Sequence, residues 1–242
     1  MATKSIKYMI GKILRKGVLN RIPSKKRLPF YFWLCQFEGF LETELLHLNA
    51  IAKSKGVAVD IGANQGLYSY KMSQIFSKVY SFEINDTLTG KLVAYNPGNI
   101  EIINKGISSQ TGNAVLYIPV LKGQPLYGWA SLSPNNCPDT REQIEKPVDI
   151  CPLDTFHLDN VSFIKIDVEG HEVEVLKGAV QTLKDCRPTV LIEIKEENLS
   201  EVCRLFEGID YQQQNLQDLV GIKGSEQNYI FAPMSKTLAG AG

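Results

Sequence analysis

The chain has 242 residues with equal numbers of basic and acidic side chains, and 44% of its residues are hydrophobic. These values are typical of a soluble globular protein, and the length suits one α/β domain with an added segment. No apolar run approaches the roughly 20 residues that a membrane-spanning helix needs, and the basic N-terminus lacks the apolar stretch of a secretory signal. The five cysteines include no C-x-x-C pair, which favours reduced thiols in the cytoplasm over a disulfide framework or a zinc site.

The charge is unevenly spread along the chain. Residues 1–27 contain nine Lys or Arg and no Asp or Glu, so the rest of the chain carries a net charge of −9. Apolar residues at helical spacing between these lysines predict an amphipathic helix over residues 5–16. Such a helix suits the surface of an anionic membrane; contact with nucleic acid and simple packing on the domain are the alternatives. We therefore divide the chain into a basic extension (1–40), a main domain (41–233) and a flexible tail (234–242).

A proline-marked connector over residues 21–29 and an aromatic segment over 30–40 come before a regular alternation of strands and helices. Helices are predicted over residues 41–53, 65–76, 170–183 and 197–206. Strands are predicted over residues 57–61, 78–83, 100–104, 114–118, 161–167 and 189–194, with a closing hairpin of 211–214 and 228–231. Five prolines make residues 119–147 a long loop. This order predicts a doubly wound α/β fold, in which a mainly parallel seven-stranded sheet has helices on both faces and follows an N-terminal helical extension.

The sharpest signal is the segment DIGANQG at residues 60–66, which follows a predicted strand and opens a helix. Doubly wound folds bind ligands outside the carboxyl ends of their strands, where a glycine lets the backbone approach a ligand closely. The amides at a helix N-terminus can then hold a carboxylate. Glu83 ends the second predicted strand, where an acid can accept hydrogen bonds from both hydroxyls of a ribose.

Two ligand classes use this geometry, dinucleotides and S-adenosylmethionine. Asn64 occupies the position of the middle glycine in G-x-G-x-x-G, and a pyrophosphate needs the close approach that this glycine permits. S-adenosylmethionine has no phosphate, and its cationic amine suits the acid Asp60 better than a pyrophosphate does. A tight turn without a ligand and a nicotinamide oxidoreductase are the weaker alternatives.

Several sequence blocks resemble the FkbM family of methyltransferases over about residues 41–233. They are VDIGANQGLY at 59–68, YSFE at 80–83, NKGIS at 104–108, LDTF at 153–156 and FIKIDVEGHE at 163–172. The resemblance implies a class I methyltransferase fold that uses S-adenosylmethionine. It also implies that the acceptor is a hydroxyl group of a sugar or of a polyketide-type natural product.

With this resemblance, we expect the cofactor to contact residues from four of these blocks: Asp60, Gly62, Asn64, Gly66, Tyr68, Glu83, Ser108, Ser109 and Asp167. One position departs from the family. Many relatives have Ser-Asp where this chain has Ser108-Ser109. Ser109 or Gln110 would therefore have to contact the adenine amine in place of the acid.

Methyl transfer to an alcohol needs a general base, or a metal that lowers the pKa of the alcohol. Asp167 and Glu169 emerge at the carboxyl end of a predicted strand, so either one is a candidate base. Lys165 shares a face with Asp167 and can position the acceptor, or pair with Glu193 on the neighbouring strand. A purely structural ion-pair network is the alternative. His171 is a further candidate for the base or for a metal ligand, although no spacing in the sequence demands a metal.

The leading function is O-methylation of a small molecule or glycan. The basic N-terminus suggests an RNA methyltransferase instead, but the strand that ends IDVE lacks the Pro-Pro-aromatic motif expected for methylation of base amines. A scaffold that binds the cofactor without turnover is the third hypothesis. The long loop contains Trp129, which either covers the acceptor as a stacking surface or packs on the core. Nothing in the sequence specifies the oligomeric state.

Overall fold

The computed structural model describes residues 18–134 and 142–234, in which strands form two sheets. In chain order the described strands are β1 (Val57–Ile61), β2 (Lys78–Phe82), β3 (Ile100–Ile103), β4 (Gly106–Ile107), β5 (Gly112–Leu121), β6 (Gln124–Pro125), β7 (Glu142–Cys151), β8 (Val161–Ile166), β9 (Thr189–Glu193), β10 (Tyr211–Gln214) and β11 (Asn228–Pro233). The main sheet has seven strands in the order β10-β11-β9-β8-β1-β2-β3. Strand β11 is antiparallel to both of its neighbours, and the other six strands run in one direction. The doubly wound, mainly parallel seven-stranded sheet expected for a class I methyltransferase is therefore confirmed.

Helices cover both faces of this sheet. In chain order they are α1 (Ser24–Glu38), α2 (Thr43–Leu46), α3 (Leu48–Ile51), α4 (Leu67–Met72), α5 (Gly90–Tyr95), α6 (Glu172–Lys177), α7 (Val180–Cys186), α8 (Leu199–Glu207) and α9 (Leu216–Val220). Alternate residues of a strand point to opposite faces, so Ala58 packs with the core under α1–α5 while Val59 packs with the core under α6–α8. The strand order reverses between β1 and β8, which places a crevice at the carboxyl ends of these two strands.

The second sheet has four strands in the order β4-β7-β5-β6. Strands β5 and β7 pair in antiparallel register from Gly112 with Ile150 to Val120 with Glu142. The prediction of one loop over residues 119–147 is therefore wrong for the end of β5 and the start of β7. The sequence shows no strand pattern for β7, because the first half of this strand is polar and exposed and because Pro147 lies within the strand.

The helix predictions are corrected at three places. The connector predicted over residues 21–29 is mostly helix, because burial of Leu28 and Leu34 outweighs the hydrogen bond lost at Pro29 inside α1. The single helix predicted over residues 41–53 is divided into α2 and α3. The helix predicted over residues 170–183 is divided at Gly178, where a Cβ atom would lie 1.9 Å from the carbonyl oxygen of Ser108.

The hydrophobic core extends into the segment that the sequence assigned to the basic extension. Helix α1 packs against α4 and α5, and Leu28 shares a buried cluster with residues of the main sheet. The helix predicted over residues 5–16 and the tail beyond residue 234 lie outside the described residues. Among the helices of the described ranges, none combines the length and the apolar composition needed to cross a bilayer.

Candidate active site

A cleft opens at the carboxyl ends of β1, β2 and β8. It encloses about 650 Å³ of space, part of which is open to solvent. Its polar wall includes the following sequence-predicted residues: Gly62, Asn64, Glu83, Asp167, Glu169 and His171. The cleft is therefore where the fold and the sequence motifs both place a ligand.

Glu83 is the most firmly held acid of the cleft. Its Oε2 atom accepts the backbone N–H of Asn64 at 2.6 Å, and its Oε1 atom accepts that of Asn85 at 2.8 Å. The side chain is 6% exposed. Burial raises the pKa of Glu83 to about 7, although the two backbone hydrogen bonds oppose this shift. Each carboxylate oxygen keeps a second lone pair, so Glu83 can still accept hydroxyl donors from a ligand.

The backbone amides of the glycine turn are already occupied within the fold. The N–H groups of Gly62 and Ala63 both donate to the carbonyl oxygen of Phe82, at 2.9 and 3.0 Å. The N–H group of Asn64 donates to Glu83. The expectation that amides of this turn hold a ligand carboxylate is thus not met at these positions, because the end of β2 uses them.

Glycine is required at position 62 by the packing of two loops. Gly62 has φ +83°, and a Cβ atom there would lie 1.8 Å from the backbone oxygen of Asp167. The loops that follow β1 and β8 therefore touch backbone to backbone at this point. Gly66 also has a positive φ and packs against Leu92, and it does not line the cleft. Gly62 thus brings the two loops together and also lines the cleft, whereas Gly66 does neither.

Asp60 is buried beneath the glycine turn and is not part of the cleft lining. Its carboxylate accepts the hydroxyl of Ser69 at 2.5 Å, and the side chain is 1% exposed. Burial raises the pKa of Asp60 to about 6, while the hydrogen bond from Ser69 and the charge of Lys165 lower it. The structure does not bring this acid to the place where a cofactor amine was expected.

Neither Ser108 nor Ser109 lines the cleft. The hydroxyl of Ser108 lies 2.9 Å from Nε2 of His171, and the hydroxyl of Ser109 donates to Glu174 on α6. His171 itself lines the cleft, and burial lowers its pKa, so its ring is neutral at pH 7. His171 lines the cleft and the two serines do not, and the adenine contact of the serines stays a prediction.

Three carboxylates lie together at the carboxyl ends of β8 and β9. Burial and the negative charge of Glu42 raise the pKa of Asp167, which the charges of Lys165 and Lys195 lower. Burial and the charge of Asp167 raise the pKa of Glu193 to about 7. Glu169 lies 3.4 Å from the ammonium of Lys195. Within the described residues, no group of three acidic, His or Cys side chains is placed to hold a metal ion.

Lys165 is 1% exposed on the same sheet face as Asp167. Lys165 forms no ion pair with Glu193 within the described residues, and its partner on β9 is Leu191, two residues before Glu193. Its ammonium donates to Oδ1 of Asn228 at 3.4 Å and to the backbone oxygen of Ile166 at 3.3 Å. The ammonium also lies 5.2 Å from the ring centre of Tyr68. Tyr68 is therefore a neighbour of the lysine and is not part of the cleft lining.

The sequence did not identify the apolar wall of the cleft, whereas the long loop with Trp129 was already a candidate cover. The apolar wall includes Ile84, Leu88, Ile107 and Leu116. We call residues 127–132 the cover, and all of them except Trp129 line the cleft. Ser131 in this cover donates a 2.7 Å hydrogen bond to the backbone oxygen of Glu169. Trp129 is 56% exposed, which excludes the alternative that it packs in the core.

Two acids before the first strand were also missed. Glu42 accepts hydrogen bonds from Tyr68 and Asn228, and Glu44 accepts two from Ser225. A signal for Glu44 was present, because its spacing places it on the same side of the chain as the buried Leu48. No comparable pattern marks Glu42, since its partners are distant in sequence.

The glycine turn after β1, the acid that ends β2 and the crevice at the change of strand order define a class I methyltransferase fold. Residues 60–220 match the family model described as the methyltransferase FkbM domain. This match covers well over half of the chain, so the chain belongs to the FkbM methyltransferase family, and the resemblance drawn from the sequence is confirmed. The family implies use of S-adenosylmethionine.

Several solved methyltransferase structures are similar to this chain. The methyltransferase FkbM from Methylobacillus flagellatus KT is similar to this chain with a TM-score of 0.51 and 18% identity, over 91% of this chain and 60% of that one. This chain thus spans 60% of the length of that relative. An rRNA methylase from Streptococcus thermophilus has a TM-score of 0.46 and 14% identity, over 78% of this chain and 95% of its own. The precorrin-6y C5,15-methyltransferase from Geobacter metallireducens GS-15 has a TM-score of 0.45 and 11% identity, over 79% of this chain and 87% of its own. No curated protein gives a significant match.

Proposed function

We propose that this protein transfers a methyl group from S-adenosylmethionine to a hydroxyl group of a sugar, a glycan or another natural-product small molecule. The observation that carries the proposal is the position of Asp167, a carboxylate with a raised pKa in the wall of the same cleft that contains Glu83. One acid suits the ribose of the cofactor, and the other suits the proton of an alcohol acceptor.

The residues of the cleft fit the cofactor. Glu83 would accept the ribose hydroxyls, because both of its oxygens are fixed and each keeps a lone pair. The apolar wall at Ile84, Leu88 and Ile107 offers a surface for the adenine ring, with neutral His171 beside it. When bound, the cofactor supplies an electrophilic methyl group on a sulfonium.

Asp167 is the base in this proposal. An alcohol is a weak nucleophile at neutral pH, and a base is most effective when its pKa lies near the working pH. Burial raises the pKa of Asp167 toward that range. Glu169 is paired with Lys195, so it serves better to hold the loop than to take the proton. Glu193, next to Asp167, is placed to share the proton that Asp167 accepts.

The test is methyl transfer from S-adenosylmethionine labelled in its methyl group to a panel of sugars, glycans, polyketide-type alcohols and RNA. Asp167→Asn should lower kcat by roughly a hundredfold or more while cofactor binding stays normal. Glu169→Gln is the matched neighbour and should lose less activity. Full turnover in both variants would remove the base assignment, and transfer to RNA alone would contradict the proposed acceptor class.

We also propose that the protein contacts anionic membrane surfaces from the cytoplasmic side. The basic residues 1–27 support this, as do the exposed Lys25 and Lys26 at the start of α1 and Trp33, which is 51% exposed on the same helix. The described cysteines are free thiols, which suits a reducing compartment. Flotation with vesicles that contain phosphatidylserine should show binding that is lost when residues 1–17 are removed. Equal binding by the shortened chain would contradict this contact.

A further inference from the structure

Glu42 joins three elements at the edge of the active site, although it precedes the segment that matches the family. It lies directly before α2, and its Oε2 atom accepts the hydroxyl of Tyr68 on α4 at 2.6 Å. The same oxygen accepts Nδ2 of Asn228, the first residue of β11, at 2.8 Å. Both partners are neutral donors, so these hydrogen bonds fix the side chain without adding an opposite charge.

The two partners of Glu42 are also the neighbours of Lys165. The other end of the Asn228 amide, Oδ1, accepts the ammonium of Lys165 at 3.4 Å, and the ring of Tyr68 lies 5.2 Å from that ammonium. An amide between a carboxylate and an ammonium has only one favourable orientation, with its NH₂ group toward the acid and its oxygen toward the lysine. The arrangement therefore holds a buried cation that forms no ion pair within the described residues.

We propose that Glu42 is a positioning residue of the active site, which holds Lys165 beside Asp167 and Glu193 through Tyr68 and Asn228. This role rests on the proposed function, in which Asp167 is the base. Glu44, two residues away, accepts the backbone N–H and the hydroxyl of Ser225. Its Oε2 atom also accepts Nδ2 of Asn228 at 3.3 Å, so Glu44 belongs to the same hydrogen-bond network.

Several charged groups around Asp167 and Glu193 shift the pKa values of these two carboxyls. The negative charge of Glu42 raises the pKa of both Asp167 and Glu193, and the charge of Lys165 lowers both. Lys195 also lowers the pKa of Asp167, and Glu169 also raises that of Glu193. The charge of Lys165 also lowers the pKa of Asp60 on the neighbouring strand, and the charge of Asp167 raises it. Burial and the charge of Glu42 raise the pKa of Tyr68 well above its ordinary value, so its phenol stays a donor.

The experiment is a titration of ¹³C-labelled carboxyl groups by NMR in the full chain, which needs no turnover. In Glu42→Gln, the apparent pKa values of the Asp167–Glu193 pair should fall by roughly half a unit to one unit, because a nearby like charge is removed. Glu42→Asp, which keeps the charge, should restore most of the shift. The matched control is Glu101→Gln on β3, which removes an exposed carboxylate paired with Lys78 and should leave both carboxyls unchanged.

A second variant covers the case in which Glu42→Gln does not fold. Asn228→Asp adds a negative charge between Glu42 and Lys165, so the pKa values of the pair should rise instead. Unchanged titrations in the folded variants, or equal shifts in Glu42→Gln and Glu101→Gln, would overturn the role of Glu42. Where the wild type shows turnover, the acidic limb of kcat/KM should move to lower pH in Glu42→Gln. Lack of cofactor binding by the wild type would count against the proposed function alone, because the titration is read without cofactor.

Discussion

The Oε2 atom of Glu83 lies 2.6 Å from the backbone nitrogen of Asn64, and this hydrogen bond joins the end of β2 to the loop that follows β1. The same side chain holds Asn85 through its other oxygen. Glu83 therefore fixes the two backbone segments that flank the proposed ribose site. Its carboxylate has a structural role and a ligand-binding role at once.

Replacement of Glu83 by Gln should weaken cofactor binding. One carboxylate oxygen becomes an NH₂ group, which cannot accept the N–H of Asn64 or Asn85, and a hydrogen bond to a charged group contributes about 1.5–3 kcal/mol. The Kd for S-adenosylmethionine should rise by roughly ten- to a hundredfold. Isothermal titration calorimetry measures it, with Glu101→Gln on β3 as the control, since Glu101 forms only an exposed ion pair with Lys78. Unchanged affinity would show that Glu83 does not contact the cofactor.

Replacement of Gly62 by Ala should separate the loops after β1 and β8. The new Cβ would overlap the backbone oxygen of Asp167, and an alanine at φ +83° is strained. The free energy of unfolding should fall by about 3 kcal/mol. Urea denaturation measures the change, and Gly112→Ala is the control because a Cβ there meets nothing within 4 Å. Equal stabilities of the two variants would contradict the close contact of the loops.

The parallel sheet was predictable from the sequence, whereas two other parts of the fold were not. Strands β1 and β8 are buried on both faces, so they appear as short, continuous apolar runs that end in polar residues. Strand β7 is stable because it pairs with β5 over nearly its whole length, and such pairing leaves no periodic pattern in an exposed, polar strand. Helix α1 was hidden by Pro29, whose cost is offset by tertiary packing.

Replacement of Glu193 by Gln should change how stability depends on pH. The folded-state pKa of Glu193 is about 7, above its ordinary value of 4.5, so the folded protein holds this proton more tightly than the unfolded chain. The contribution of Glu193 to stability is therefore present below about pH 4.5 and is lost as the pH rises to about 7. The stability of Glu193→Gln relative to wild type should increase by on the order of 2 kcal/mol between pH 4.5 and 8.

Urea denaturation at several pH values measures this difference. The exposed neighbour Glu196→Gln is the matched control for the loss of one negative charge. A difference between Glu193→Gln and wild type that stays constant across this range would show that Glu193 ionises in the folded protein as it does in the unfolded chain.

The candidate site was predictable where the fold itself fixes a position. Glu83 and Asp167 follow strand ends, and parallel strands bring their carboxyl ends to one edge of the sheet. The direction of each remaining side chain depended on partners that are distant in sequence. Ser108 turns to His171, and Asp60 turns to Ser69, so neither reaches the cleft. The link from Glu42 to Asn228 spans nearly the whole domain, and no local pattern encodes it.

Replacement of Trp129 by Ala should affect the acceptor more than the cofactor. Trp129 follows cleft-lining Tyr127 and Gly128 in the cover of the cleft, and its side chain is exposed. Loss of a stacking surface costs about 1 kcal/mol, so the KM for the acceptor should rise by roughly fivefold. The Kd for S-adenosylmethionine should change less than twofold by the same reasoning. Trp33→Ala, which removes an exposed tryptophan on α1, is the control. Equal changes in the KM for the acceptor and in the Kd for S-adenosylmethionine would show that Trp129 has no specific role in acceptor binding.

The most direct test of the account is calorimetric titration of the wild-type protein with S-adenosylmethionine and with its demethylated product. We predict one binding site for each compound, and competition between them for the cleft at Glu83. Absence of binding for both compounds, with a correctly folded protein, would contradict the central claim that this cleft holds a methyl-donor nucleoside.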